Sequence, residues 1–150
     1  MLANARRNKG SMAVVFLDLD DFKQVNDTQG HIVGDTLLKM VAGRLSAAVR
    51  EEDTVARLGG DEFVVALWDV KRADDATAVA SKLIKSVSTP YAIEGESISA
   101  TASAGIAVYP DHGADADELL ERADQALYAT KRAGKNAFRV AQPPEAPACS

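Results

Sequence analysis

Hydrophobic residues recur along this chain at two different spacings, which predict a mixture of strands and helices. Short runs rich in β-branched and aromatic residues are typical of strands, whereas apolar residues three and four positions apart are typical of one helix face. We predict strands at 12–18, 54–58, 62–67, 91–94, 97–108 and 137–140, and helices at 21–28, 34–50, 75–88 and 115–133. This order, with hairpins as well as crossovers, favours an α+β fold whose central, mostly antiparallel sheet is flanked by helices.

Turn residues mark the limits of several of these elements. We expect a turn from Gly30 to Asp35 between the first two helices, and a hairpin whose tip is formed by Gly59 and Gly60. Gly134 suits the position just after the last helix, where the backbone often takes a left-handed conformation.

Composition indicates one globular domain. The chain has 150 residues, of which 47% are apolar, and contains no apolar run long enough to span a bilayer, so we expect no membrane contact. We expect the end of a truncated upstream helix at 1–10, the globular domain at 11–141 and a disordered tail at 142–150. The single cysteine, Cys149, makes disulfides unexpected and favours a cytoplasmic location. The net charge of −5 argues against a nucleic acid polymer as partner, because such binding needs a basic surface.

An acidic cluster follows the first predicted strand. The apolar run 12–17 leads directly into Asp18, and Asp20 follows two positions later. Because alternate side chains of an extended chain point the same way, both carboxylates are expected on one side, where they suit a cation. Capping of the next helix is the alternative role of these residues, because an Asp before a helix accepts its free N–H groups.

A second acidic pair follows the double glycine of the predicted hairpin. Gly59 and Gly60 allow positive φ angles and a close approach of backbone to a ligand, and Asp61 and Glu62 come next. Carboxylates from two separate strands that meet over one Mg²⁺ are how palm-type nucleotidyl enzymes hold a nucleotide triphosphate. An ordinary hairpin turn without chemistry is the alternative.

These acidic residues belong to longer stretches that resemble a known family. The stretches lie, in order, at 16–27, 30–35, 50–53, 59–63, 103–107 and 123–136. Several ordered stretches are far more specific than one short motif. They resemble the GGDEF domain, the catalytic domain of diguanylate cyclases. The resemblance implies a ferredoxin-like palm, shared with nucleotidyl cyclases, that condenses two GTP molecules into cyclic di-GMP and two pyrophosphates.

The resemblance also implies metal-binding and catalytic roles. Asp18, Asp61 and the Leu19 carbonyl would ligate Mg²⁺ or Mn²⁺, and Asp61 would also help to deprotonate the 3′-hydroxyl. Glu62 is expected to face the other way and to lie in the outer part of the site, because successive residues of a strand alternate in direction. The catalytic motif comprises Gly59, Gly60, Asp61 and Glu62.

Four further positions match the family's substrate contacts. Asn26 and Asp35 match its guanine-binding pair, an amide and a carboxylate that together satisfy the guanine edge. Lys131 and Lys135 lie four positions apart and match its triphosphate-binding lysines. Without the family, Asn26 and Asp35 are ordinary turn and cap residues, and the two lysines complement a helix C-terminus.

Arg50 and Asp53 match the family's product-inhibition motif, and residues 54–58 separate them from the glycines. An arginine offers a planar donor fork to a guanine edge or a phosphate, and an aspartate accepts from guanine N–H groups. The resemblance therefore implies cyclic di-GMP as an inhibitor as well as the product. The alternative is an exposed ion pair at a helix end, worth less than about 1 kcal/mol.

The product also implies partners. One domain offers one nucleotide site, whereas the product joins two nucleotides symmetrically, so a second GGDEF domain must complete the reaction as a transient homodimer. The family usually carries an Asp-x-Leu-Thr-Gly-Leu-x-Asn-Arg stretch before the first strand, and this chain lacks it. We therefore expect an upstream sensory domain in the full-length protein.

Three other interpretations are open. The nearest is a catalytically inactive GGDEF domain that serves as a GTP-binding or cyclic di-GMP-binding regulatory module, and a turnover assay separates it from a cyclase. A phosphatase of the haloacid dehalogenase type also places Asp-x-Asp after a strand, but it expects Thr or Val where this chain has Phe22. A purely structural interaction domain would not need carboxylates at two strand ends.

Overall fold

The computed structural model describes residues 12–70 and 72–142. The strands of the described residues are β1 Met12–Asp20, β2 Thr54–Gly59, β3 Glu62–Trp68, β4 Tyr91–Ile93, β5 Glu96–Ile98, β6 Thr101–Tyr109 and β7 Phe138–Val140. The helices are α1 Phe22–Gln29, α2 His31–Ala48, α3 Ala73–Ser88 and α4 Ala116–Ala133. The predicted end of an upstream helix at 1–10 and residues 143–150 of the tail predicted at 142–150 lie outside the described residues.

The main sheet confirms the predicted α+β class. Its strand order is β2-β3-β1-β6-β7, and every neighbouring pair is antiparallel except β6 and β7, which run parallel. β4 and β5 form a separate hairpin. β1 therefore lies in the middle of the sheet, with β3 on one side and β6 on the other. The register sets Asp18 opposite Glu62 of β3 and opposite Ser103 of β6.

Two packed layers bury the two faces of this sheet. Met12, Val14 and Phe16 of β1 pack in the cluster that contains α4, whereas Ala13 and Val15 pack in the cluster that contains α2 and α3. Both faces of β1 are thus buried, which explains why its sequence is a continuous apolar run. No helix in residues 12–70 and 72–142 is long and apolar enough to cross a membrane.

Close packing of α4 on β6 fixes the end of that helix relative to the sheet. A Cβ at Gly105 of β6 would overlap the Ala123 carbonyl and the Leu127 N–H, so only glycine allows this approach. One turn before the end of α4, the hydroxyl of buried Thr130 donates to the Ala104 carbonyl, with 3.1 Å between the oxygens. The last turn of α4 therefore has a fixed position against the sheet.

Two predicted elements differ from the structure. The strand predicted at 97–108 is divided into β5 and β6, which belong to different sheets, because a run of strand residues does not reveal a change of pairing partner. The turn predicted from Gly30 to Asp35 is helical from His31 onward. Gly30, with φ of 93°, provides the break between α1 and α2, and Gly34 N–H already donates to the Gly30 carbonyl.

Candidate active site

Three chain segments meet at the end of β1. They are the last residues of β1, the tip of the β2–β3 hairpin and the last turn of α4. The Leu19 N–H donates to the Asp61 carbonyl at 3.2 Å, which ties the hairpin tip to β1. The Lys131 ammonium donates to the Leu19 carbonyl at 3.3 Å, which brings α4 to the same place. The structure thus brings together four of the predicted site residues: Asp18, Leu19, Asp61 and Lys131.

Asp18 is a half-buried carboxyl beside a second carboxyl. Burial, together with a side-chain hydrogen bond and negative charge from Asp61, outweighs the opposing effect of Lys131 and raises the pKa of Asp18 to about 7. Its Oδ1 atom is buried and receives no hydrogen bond from the described residues, although Lys131 Nζ lies 3.4 Å away. Two adjacent carboxyl groups in this setting favour a shared proton or a bound cation.

The predicted metal ligands fit a divalent ion. The buried Asp18 oxygen without a hydrogen bond, the neighbouring Asp61 carboxyl and the Leu19 carbonyl are hard oxygen donors of the type that Mg²⁺ prefers. Within residues 12–70 and 72–142, no three His, Cys, Asp or Glu side chains gather into a complete metal cage. Mg²⁺ usually needs only one or two carboxylates when substrate phosphates and water supply its other ligands.

Asp20 holds the framework of the site. Its side chain is 1% exposed and accepts hydrogen bonds from Ser103 Oγ at 2.7 Å, Thr101 Oγ1 at 2.7 Å and the Asn136 N–H at 2.9 Å. Although burial raises it, these hydrogen bonds hold the pKa of Asp20 below its usual value. Asp20 thus joins β1, β6 and the segment after α4.

Helix capping by Asp18 or Asp20 is therefore wrong. Asp18 lies within β1, the Asp20 carboxyl is used by β6 and Asn136, and α1 is preceded by Asp21, which makes no side-chain cap. The partners of Asp20 were not predicted as functional residues. The signal available for them was the period-two pair Thr101 and Ser103, two hydroxyl side chains in an otherwise apolar strand.

Both predicted triphosphate lysines lie against the end of β1. Lys131 Nζ lies 3.3 Å from Asp20 Oδ1 in addition to its contacts with Asp18 and Leu19. Lys135 Nζ donates to Asp21 Oδ1 at 2.8 Å, and this hydrogen bond raises the pKa of Lys135. The resemblance implies that Lys131 binds the triphosphate and that the Leu19 carbonyl ligates the metal. In the structure, the Lys131 ammonium donates a hydrogen bond to the Leu19 carbonyl instead.

The predicted guanine pair lies on neighbouring turns of α1 and α2. The Asn26 side-chain oxygen rests on Gly34, where any Cβ would overlap it, and Asp35 is the next residue along α2. α1 begins at Phe22, directly after the acidic cluster, so Asn26 lies about 6 Å along the helix from that end. The helical pair therefore presents an amide and a carboxylate close to each other.

The hairpin tip has the predicted glycine conformations. Gly59 has φ of 148° and Gly60 φ of 49°, and the Gly60 carbonyl accepts from Arg57 Nε at 2.9 Å. Glu62 is exposed and lies opposite Asp18, and residues opposite each other in an antiparallel pair share one sheet face. The prediction that Glu62 faces away is thus wrong, because Asp61 belongs to the turn and the alternation of a strand begins only at Glu62.

Arg50 and Asp53 lie at the other end of β3. The Asp53 side chain is 3% exposed and accepts from the Trp68 N–H at 3.1 Å and from Arg50 Nε and Nη2, both at 3.3 Å. Arg50 also donates to the Trp68 carbonyl, and its hydrogen bond with Asp53 raises the pKa of Arg50. Arg50 is thus half exposed, as the ion-pair alternative expects, whereas Asp53 is buried and bonded to the sheet.

A cavity opens beside this pair. It has a volume of about 570 Å³, and its lining includes Arg50, Asp53, Trp68 and Lys82. Trp68 and Glu62 stand at opposite ends of β3, so the cavity and the Asp18 cluster are separated by about 20 Å of strand. The two predicted sites are thus distinct places in the fold.

Comparison with known proteins identifies the family. The family model described as "Diguanylate cyclase, GGDEF domain" matches residues 1–137. Over 137 residues the chain is 47% identical to the bifunctional diguanylate cyclase/cyclic di-GMP phosphodiesterase MucR of Pseudomonas aeruginosa, covering 91% of this chain and 20% of MucR. It is 40% identical over 142 residues to the diguanylate cyclase TpbB of the same organism, covering 94% of this chain and 33% of TpbB. The chain thus spans a third or less of these curated relatives.

Solved structures agree with the sequence comparison. The crystal structure of the TpbB GGDEF domain superposes with a TM-score of 0.91 at 40% identity, covering 95% of this chain and 89% of that one. The GGDEF domain of DgcB from Caulobacter crescentus, solved in complex with cyclic di-GMP, superposes with a TM-score of 0.82 at 31% identity, covering 93% and 81%. The chain belongs to the GGDEF family, the family of diguanylate cyclase domains.

Proposed function

We propose that this chain is a diguanylate cyclase domain, which condenses two GTP molecules into cyclic di-GMP with release of two pyrophosphates. The observation that carries the proposal is the contact of the Asp18 and Asp61 carboxyl groups at the hairpin tip, where a buried Asp18 oxygen has no hydrogen bond. A purely structural site would give that oxygen a hydrogen bond in addition to its 3.4 Å ion pair with Lys131, because a buried polar atom without a hydrogen bond destabilises the fold.

Substrate binding uses three groups of residues in this proposal. Asn26 and Asp35 recognise the guanine edge on the α1–α2 pair, and Lys131 and Lys135 neutralise the triphosphate at the end of β1. Adenine would leave Asn26 and Asp35 without matching partners, so GTP is preferred over ATP. Asp18, Asp61 and the Leu19 carbonyl would hold Mg²⁺ or Mn²⁺, which when bound neutralises charge on the transferring phosphate.

The chemical step is a displacement at the α-phosphate. The 3′-oxygen of one GTP forms a bond to the α-phosphorus of the other, the bond from that phosphorus to the pyrophosphate oxygen breaks, and Asp61 accepts the hydroxyl proton. A second, equivalent displacement closes the ring and releases the second pyrophosphate. The exposed position of the hairpin tip allows two domains to face each other during both steps.

Product feedback through Arg50 and Asp53 is a further part of the proposal. The cavity beside this pair offers the Arg50 guanidinium to the ligand, and the GGDEF domain of the relative DgcB was solved in complex with cyclic di-GMP both by itself and together with its coiled coil. The distance from the Asp18 cluster means that inhibition would act on the arrangement of two domains rather than by direct competition.

The curated relatives carry this domain within longer chains, so we propose that it works next to an upstream sensory domain. A cytoplasmic site of action follows from the proposed substrate, since GTP is supplied there. The input signal would then control how often two such domains meet.

A turnover assay tests the cyclase proposal. The purified chain is incubated with GTP and Mg²⁺, with ATP in a parallel reaction, and cyclic di-GMP is measured by chromatography. We expect product from GTP only, and we expect Asp61→Asn to reduce the rate by orders of magnitude, because the variant keeps its volume but loses a metal ligand and proton acceptor.

The matched control is Asp74→Asn, which makes the same change at the exposed start of α3 and should not affect the rate. Binding of GTP without any turnover, under conditions in which a relative is active, would identify the chain as the inactive binding module instead. Near-normal synthesis by Asp61→Asn would disprove the assignment of Asp61.

A further inference from the structure

The ammonium of Lys131 lies among the oxygens that the proposed function gives to the divalent ion. Its Nζ atom is 3.4 Å from Asp18 Oδ1, 3.3 Å from Asp20 Oδ1 and 3.3 Å from the Leu19 carbonyl oxygen. Two of these three residues, Asp18 and Leu19, are among the proposed metal ligands, and Asp61 is the third ligand proposed. An ammonium and a divalent cation repel each other strongly at such short separations, so they cannot share these oxygens.

The site is built to hold the ammonium where it is. The last turn of α4 is fixed by the Thr130 hydrogen bond to β6 and by the close approach at Gly105. The Lys131 side chain is 25% exposed, so it is largely shielded between α4 and the end of β1. Its four-carbon stem is nevertheless flexible, which allows the ammonium to move by several ångströms while the helix stays in place.

Lys135 provides the contrast within the same chain. It is the second proposed triphosphate lysine, but its ammonium is bonded to Asp21 and to none of the three proposed metal ligands. Both lysines therefore carry a positive charge close to the same site. Of the two, only Lys131 places its ammonium against the proposed metal ligands.

We propose that Lys131 occupies the divalent-ion position in the nucleotide-free domain, where it weakens binding of the ion, and leaves this position when a triphosphate offers its ammonium another anion. The ion and the nucleotide then bind cooperatively, because each removes an obstacle to the other. This inference rests on the proposed function, since it takes Asp18 and Leu19 as metal ligands. It gives Lys131 a positioning role in addition to its contact with substrate, which is to prevent the ion from binding tightly without GTP.

The test measures metal binding in the absence of nucleotide. Mn²⁺ is titrated into the full chain and free Mn²⁺ is followed by its electron paramagnetic resonance signal. Lys131→Met removes the charge and keeps the length of the side chain, so we expect it to bind Mn²⁺ at least about fivefold more tightly than the wild type. Lys131→Gln serves as a second uncharged variant in case the first does not fold.

Two control variants separate local displacement from a general change of charge. Lys135→Met loses the same single charge nearby and should keep the wild-type Mn²⁺ affinity within about twofold. Lys131→Arg keeps the charge and should also bind the ion weakly. Equal Mn²⁺ affinity of the wild type and the uncharged Lys131 variants, or no saturable binding by those variants, would overturn the inference.

A second measurement uses only the wild-type chain. Excess Mg²⁺ without nucleotide should displace the ammonium, so the rate at which Lys131 is acetylated by an amine-reactive ester should rise, whereas the rate at Lys135 should not. An unchanged rate at Lys131 would contradict the inference. If these metal effects are present but the chain makes no cyclic di-GMP, only the proposed function is contradicted. If the chain makes cyclic di-GMP but the metal effects are absent, only this inference is contradicted.

Discussion

Asp18 illustrates at the scale of one residue how a functional site opposes stability. Burial and the neighbouring Asp61 raise the pKa of its carboxyl from 3.8 to about 7, so the folded state binds a proton in a pH range where the unfolded chain has lost it. Stability therefore falls as the pH rises through this range. Above it, the folded chain holds an ionised, half-buried carboxylate beside Asp61. Such an arrangement is expected at a functional site where a bound cation balances the negative charge of the carboxylates.

We predict that Asp18→Asn increases the free energy of unfolding above about pH 7, because the amide removes the ionised carboxylate from the pair. The gain should shrink as the pH is lowered toward about 4, where the wild-type carboxyl is protonated in the folded state. Urea unfolding of both proteins across this pH range, without divalent ions, measures the effect. A variant that is less stable than the wild type above about pH 7 would show that Asp18 stabilises the fold.

At the scale of elements, the position of α4 on the sheet determines where the Lys131 ammonium lies. Gly105 allows the helix backbone to touch β6, and Thr130 bonds the helix to the same strand one residue before Lys131. The segment after α4 is tied to β1 through the Asn136 N–H and Asp20. A shift of α4 would therefore move Lys131 away from the carboxylates as well as open the core.

We predict that Gly105→Ala destabilises the domain by at least about 1–3 kcal/mol, because the added methyl group overlaps backbone atoms of α4 that cannot rotate away. Gly43→Ala is the matched control. It lies within α2 with open space around its Cβ position, so the same change should stabilise the domain by about 0.5–1 kcal/mol. Urea unfolding measures both variants. Equal changes in the free energy of unfolding for the two substitutions would refute the packing explanation.

The link between Arg50 and β3 changes how the feedback site should be tested. Arg50→Ala would leave the buried Asp53 carboxylate without its guanidinium, so a loss of inhibition could reflect local unfolding. Arg50→Lys keeps a positive charge but loses the planar donor fork.

We predict that Arg50→Lys, in a dimeric cyclase form of the protein, weakens inhibition by cyclic di-GMP without abolishing synthesis, and melts closer to the wild type than Arg50→Ala does. Inhibition curves and thermal melts of the two variants provide the measurement. An inhibition curve for Arg50→Lys that matches the wild type would assign the pair a structural role only.

At the scale of the whole molecule, the two predicted sites lie at opposite ends of the sheet. The Asp18 cluster is at the end of β1 and the Arg50–Asp53 pair is at the far end of β3. One domain presents one substrate site, and a symmetric product requires two. Catalysis is thus expected to depend on the encounter of two domains.

We predict that the rate per mole of chain rises with protein concentration, because two domains must meet before either displacement can occur. Initial rates over a dilution series at saturating GTP measure this dependence, and sedimentation in the same buffer reports the dimer. A rate per mole that does not change on dilution, with a chain that remains monomeric, would contradict the requirement for two domains.

The family and its fold class could be predicted from the sequence, because they depend on local patterns. The apolar run of β1, the helical spacing of Leu37, Leu38 and Val41, and the Gly59–Gly60 turn each follow from a few neighbouring residues. The order of the motif stretches then identified the family, which the comparisons confirm. The same locality explains the errors, since neither the division of 97–108 into two strands nor the helical start at His31 is encoded in spacing alone.

Sequence determined which residue types are available to the site, whereas tertiary structure decided which of them touch. The pairs Asp20 with Ser103, Lys131 with Leu19 and Asp53 with Trp68 are each many residues apart, and they meet only because β1, β3, β6 and α4 pack in one register. Charge and burial follow from those contacts. The raised pKa of Asp18, the burial of Asp53 and the location of the Lys131 ammonium are therefore properties of the packed fold, because desolvation and Coulomb interactions depend on distance in space and not on distance along the chain.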